Sequence, residues 1–111
     1  RSGALAASID AGDEAVERIV RRAAEWIGVG VANTINLLSP DVVVLGGGLV
    51  EAIPEMFREV VEESAAANVM ASYRKTFRVA VAELGDDAAV IGAAAWACEE
   101  TTGKQPRARE R

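Results

Sequence analysis

From Asp13 onward, Val16, Ile19, Val20, Ala23, Ile27, Val31 and Leu38 recur at helical spacing, with Glu17, Arg18, Arg21, Arg22 and Glu25 between them. The pattern predicts one long amphipathic helix reaching about Leu38. Glu14 suits the dipole of its first turn, and Glu14–Arg18 and Glu17–Arg21 are spaced to pair across one turn. From Trp26 to Leu38 the charged face disappears, and Gly28 and Gly30 enter, each costing about 1 kcal/mol against Ala in a helix interior. That stretch is expected to be buried on most sides, its glycines admitting a close neighbour. Residues 1–12 are small and weakly patterned, a frayed helix ended by Asp10-Ala11-Gly12.

Ser39 to Gly48 changes the period. Pro40 disfavours helical geometry at Ser39, and Val42, Val43, Val44 and Leu45 form an unbroken β-favouring run that suits a strand covered on both faces. Gly46, Gly47 and Gly48 follow, leaving the sheet with backbone angles closed to other residues and no side chain to hold a ligand off. A short linker then leads to Pro54, well placed at a first helical position. Met56, Phe57, Val60, Val61 and Ala65 line one side of this next helix and Glu55, Arg58, Glu59, Glu62 and Glu63 the other, before it fades around Ala71 to Lys75. Phe77, Val79 and Val81 alternate with Arg78, Ala80 and Ala82, the period of a half-covered strand. Strand, helix, strand makes a right-handed βαβ unit with a parallel pair. Gly85-Asp86-Asp87 opens a last helix, with an aspartate as its cap. The body of that helix, Ala88 to Cys98, is small and apolar all round and is expected to pack closely on a sheet and one further element.

The fold class is therefore α/β, in the order αβαβα with a short parallel sheet. Two strands are marginal alone, so either upstream strands or a second copy of the chain should complete the sheet, and a homo-oligomer is expected. No internal repeat is visible.

Composition narrows the function classes. A chain of 111 residues fits one domain, burying roughly 60–70% of its unfolded surface. The net charge is −5, although the last eleven residues carry Lys104, Arg107, Arg109 and Arg111 against Glu110. Without a basic patch on the body, a nucleic-acid partner is not expected. The tail, 101–111, is expected to be disordered. There is no histidine and one cysteine, so no histidine relay, internal disulfide or cysteine zinc cage can be built from this chain alone. A reducing, cytoplasmic setting is the default. Neither end reads as a secretory segment, and no apolar run reaches membrane-spanning length, so no membrane partner is expected. The opening Arg1-Ser2-Gly3 reads like the interior of a helical region, as in a piece of a longer protein.

Two blocks carry a family resemblance: Ala32-Asn33 through Asn36-Leu37-Leu38-Ser39-Pro40-Asp41-Val42-Val43-Val44-Leu45-Gly46-Gly47-Gly48, and Glu83-Leu84-Gly85-Asp86-Asp87-Ala88-Ala89-Val90-Ile91-Gly92-Ala93-Ala94. With their spacing and following helices, they resemble the C-terminal end of the ROK family of sugar kinases and sugar-responsive repressors. The resemblance spans about residues 13–100, the last third of a family member. It implies an actin-like ATPase, ribonuclease H-like fold and, in the intact parent, ATP with Mg as cofactor and a hexose as substrate. The glycine turn at Gly46, Gly47 and Gly48 would then lie against the adenosine, with Leu49 as an apolar neighbour of the base. The family's catalytic aspartate, phosphate loop and zinc motif lie upstream of these residues. None of Asp10, Asp13, Asp41, Asp86 or Asp87 matches that aspartate, so the chain is expected to be catalytically silent by itself. Its role would be the adenosine-binding half of a hexose kinase, or alternatively part of a repressor or an assembly module without catalysis.

Bland readings stand beside these. The triple glycine also serves as a plain turn. A dinucleotide fingerprint fits poorly, since Gly46 and Gly48 supply its first half but Glu51 stands at the third glycine and the helix is expected to start too late. Asn33 and Asn36 are read as partners for backbone groups near the helix end, Trp26 and Trp96 as packing residues, and Cys98 as a small core residue.

Overall fold

A computed structural model describes residues 2–102. It comprises α1 (Ser2–Asp10), α2 (Glu14–Leu38), β1 (Val42–Leu45), α3 (Gly48–Ala52), α4 (Pro54–Asn68), β2 (Arg78–Val81) and α5 (Ala88–Thr102). Short 3-10 helices occupy Ala71–Tyr73 and Gly85–Asp87. The chain is α/β and mostly helical, with β1 and β2 as a two-stranded parallel sheet. The αβαβα order of the sequence is present, with α1 ahead of it and α3 inserted after the glycines. The expected tail begins inside α5, which runs through Thr102; the rest of it lies outside the described residues.

The starts and stops of α2 follow from local chemistry. Asp13 caps it, its carboxylate accepting from the amides of Ala15 at 3.1 Å and Val16 at 3.2 Å. At the far end Ser39 adopts the left-handed region, φ 51°, and donates its amide to the Ile35 carbonyl at 2.8 Å, so the helix closes one residue before Pro40. Glu17 and Arg21 pair at 2.7 Å, as their spacing predicts. On the outer side of α4, Arg58 reaches Glu55, Glu59 and Glu62 at 3.3–3.7 Å.

The core lies between α2, α4 and one face of the sheet. α2 contributes Val20, Ala24, Val31, Ala32 and Ile35, α4 contributes Phe57, Val61 and Ala65, and Leu45, Val50, Val69 and Val79 close it. The stripe read from the sequence is buried only in part: Val20 and Val31 are buried and Val16 packs against the core, whereas Ile19, Ala23, Ile27 and Leu38 are exposed. The reason is close packing. A Cβ on Gly28 would stand 2.5 Å from the Ser64 Cβ and 2.8 Å from the Val61 carbonyl, so α4 meets α2 along its small residues. The Ser64 hydroxyl donates to the Glu25 carbonyl at 2.8 Å across the same contact. Gly30 has nothing within 4 Å of a Cβ and serves no such approach. The expectation that Trp26 to Leu38 is buried on most sides is also corrected, because Trp26, Gly30, Thr34 and Leu37 face outward.

The sheet is covered on one face only. Register pairs Val43 with Val79 and Leu45 with Val81, and these pack against the core. Val42 and Val44, paired with Arg78 and Ala80, point away from it, and Val44 is 61% exposed. The two-sided cover expected for this strand is absent among the described residues, since α2 and α4 lie on the same side. α5 departs further from expectation. Rather than packing on the sheet, it meets little beyond the 3-10 helix before it, and Val90, Ile91 and Trp96 are exposed.

Candidate functional site

Both strands end at the same edge of the molecule, and each is followed by a glycine-containing loop. β1 runs into Gly46–Gly48 and β2 into Ala82–Asp87. The ladder continues into them, the Ala82 amide donating to the Leu45 carbonyl at 2.8 Å. A Cβ on Gly46 would lie 3.6 Å from that of Ala82, so the loops run side by side. This is the position, beyond the carboxyl ends of parallel strands, where open α/β sheets place ligands.

Within the turn the three glycines differ. Only Gly47 has a positive φ, 108°, and needs glycine for its backbone angles; the expectation that all three do is corrected. Gly48 instead keeps space, since a Cβ there would come within 3.1 Å of the Ser2 hydroxyl at the start of α1, whereas a Cβ on Gly46 would make only an ordinary contact. All three are exposed. The helix starts sooner than the sequence indicates, because α3 begins at Gly48 with the Glu51 amide donating to the Gly47 carbonyl at 3.0 Å. A late helix is thus no argument against a dinucleotide fingerprint, whereas Glu51 in place of its third glycine remains one. Leu49 is half-buried and packs against the core.

Gly47→Ala is expected to cost about 1–3 kcal/mol, because a Cβ is strained at this φ although space for it is free. Chemical denaturation checks this; no loss of stability would show that the turn relaxes without penalty.

The second loop brings in groups that sequence reading set aside. Gly85 also has a positive φ, 51°, and the Glu51 carboxylate lies against it. The signal was available, since both loops follow parallel strands, but Gly85 was read only as a helix opening. Asp86 and Asp87 are exposed within the 3-10 helix, which has no side-chain cap; the Ala88 amide bonds to the Gly85 carbonyl instead. Their expected capping role is corrected accordingly. Asp13 caps α2, Asp10 ends α1, and the Asp41 carbonyl accepts from the Arg78 amide at 3.1 Å, so these aspartates are not gathered at the turn.

Other single residues sort as follows. Asn36 accepts from the Met70 amide at 2.9 Å, tying the end of α2 to the segment after α4, as expected, while Asn33 is exposed. Trp26 and Trp96 are 65% and 71% exposed rather than packed, and Cys98 is exposed on α5 rather than in the core. Among the described residues the faces of α5 that carry Trp96 and Cys98 are left uncovered, and Trp26 stands at the open groove between α2 and α4. An open groove of about 520 Å³ runs between α2 and α4, lined among others by Arg22, Trp26, Glu63 and Asn68. None of its lining residues belongs to either strand-end loop. No helix among the described residues is long and apolar enough to cross a membrane.

Comparison with known proteins adds two findings. The model of the ROK family matches residues 3–100. An uncharacterized protein of Clostridium perfringens (strain 13 / Type A) is 34% identical over 82 residues, covering 74% of this chain. The matched region is 28% of that relative's own length.

Proposed function

The chain belongs to the ROK family, and from that premise we propose that it is the C-terminal part of a cytoplasmic, ATP-dependent hexose kinase with the actin-like ATPase fold. It would supply the adenosine-binding half of the nucleotide site through Gly46, Gly47 and Gly48, with Leu49 behind them. One observation carries this reading: an exposed turn free of side chains stands at the carboxyl ends of both parallel strands. A flat base or sugar can lie on such a backbone surface without displacing anything.

The residues present fit the nucleoside and not the phosphates. The charged side chains of the second loop, Glu83, Asp86 and Asp87, and Glu51 of α3 beside it, are all acidic and would repel a triphosphate. Among the described residues no group of His, Cys, Asp or Glu is arranged to hold a metal ion. The phosphate, Mg and hexose contacts therefore fall to other parts of the parent. Catalysis of phosphoryl transfer rests largely on positioning and charge stabilisation, and this chain's share is to fix the nucleoside end.

Titration of the chain with Mg-ATP, followed through the backbone amide resonances of Gly46–Gly48, tests the reading. Half a site is expected to bind at millimolar concentration, about −4 kcal/mol. Saturable shifts confined to the turn and reproduced by adenosine alone are the expected result. Their absence would overturn the nucleotide reading.

A second reading, an assembly module that associates with another copy, is favoured by the uncovered apolar surface at Val44, Val90, Ile91 and Trp96. Sedimentation at high concentration decides it, a strictly monomeric mass counting against it.

A further inference from the structure

One side chain at the glycine turn plays no part in holding the fold. Glu51 is exposed and, among the described residues, forms no ion pair or side-chain hydrogen bond. Yet its position is defined. Its amide is tied to the Gly47 carbonyl, which sets it one helical turn from the centre of the site. Its carboxylate carbon lies 3.3 Å, and both oxygens 3.4 Å, from where a Cβ on Gly85 would stand. With the carbon nearest, the carboxylate turns its face to Gly85, and the in-plane lone pairs of both oxygens are left directed elsewhere. Glycine at 85 leaves the carboxylate room that a Cβ would narrow by a few tenths of an ångström.

We propose that Glu51 is a specificity-determining residue that accepts hydrogen bonds from the ribose hydroxyls of the nucleotide held at Gly46–Gly48, an inference that rests on the nucleotide reading. An ionised carboxylate accepts and cannot donate, and it repels phosphate, so the end of a nucleotide it can favour is the nucleoside. There the vicinal diol offers two adjacent donors to two free oxygens, whereas the amino group of adenine is a single nitrogen donor. In dinucleotide-binding sheets an acidic side chain plays this part for a ribose 2′-hydroxyl, which shows that the chemistry suffices. The site thereby selects ribonucleotides over 2′-deoxyribonucleotides.

The test compares ATP with 2′-deoxy-ATP on the unmodified chain, Glu51→Ala and Glu51→Gln, through the same amide resonances, whose dispersion also reports folding. The unmodified chain is expected to favour ATP by about tenfold, the scale of a hydrogen bond to a charged group. Glu51→Ala should abolish the preference, weakening ATP more than 2′-deoxy-ATP, which loses only the bond to its remaining 3′-hydroxyl, and Glu51→Gln should retain part of it. Equal affinities on the unmodified chain, or a preference that survives in Glu51→Ala, would overturn the inference and leave the nucleotide reading standing. Absence of saturable binding by either nucleotide would overturn both.

Discussion

Phe57→Ala is expected to lower the stability of the chain by about 3–5 kcal/mol, the cost of emptying a large aromatic site in a packed core. Phe57 is 1% exposed and is the largest of the fully buried side chains. It sits one turn into α4, in the same core cluster as Ile35 of α2 and Leu45 and Val79 of the sheet. Domains are stable by only about 5–15 kcal/mol in total, and among the described residues one sheet face and nearly all of α5 stay uncovered, so the variant should be substantially unfolded. Guanidinium denaturation followed by far-UV circular dichroism measures the effect. A loss below about 1 kcal/mol would mean that the core does not depend on this contact.

Gly28→Ala and Gly30→Ala should shift stability in opposite directions, although both lie in the interior of α2. Helix propensity favours Ala by about 1 kcal/mol at each. At Gly30 nothing opposes that gain, and the variant should be stabilised by up to that amount. At Gly28 the new Cβ would meet the Ser64 Cβ at 2.5 Å and the Val61 carbonyl at 2.8 Å, neither of which is the free end of a flexible chain. The helices must move apart, and overpacking of this kind costs about 1–3 kcal/mol. Part of the cost is loss of the Ser64 to Glu25 hydrogen bond. Denaturation midpoints of the two variants, measured side by side, check the prediction; equal shifts would show that the α2–α4 contact is looser than drawn. Ser64→Gly in the Gly28→Ala background removes the nearest clash and should recover part of the loss, giving the coupling directly.

The same pair of glycines shows where legibility in the sequence stops. Both were read as admitting a close neighbour, and only Gly28 has one. On α2 the small residues Ala24, Gly28 and Ala32 are buried beside Val20, Val31 and Ile35, while Ile19, Ile27 and Leu38 are exposed, because the closeness of α4 depends on shape at the contact. Hydrophobicity along one helix does not encode its partner's outline. At the candidate site, the glycine turn and its place after a buried-type strand were legible, since three glycines after Val-Val-Val-Leu have few other uses. The contact of Glu51 with Gly85 was not, because it joins residues far apart in sequence through the parallel pairing of β1 and β2.

Local chemistry alone determined the order of the elements, the stop of α2 before Pro40, the start of α4 at Pro54 and the alternation of β2. Each of these depends on backbone angles and on periods within a few residues. Tertiary structure alone decided which stripe of α2 is buried, that one face of β1 and nearly all of α5 stay uncovered, that α3 begins at Gly48, and that two strand-end loops meet at one edge. These depend on what stands opposite each surface, and an apolar surface is buried only where another element is present to exclude water from it.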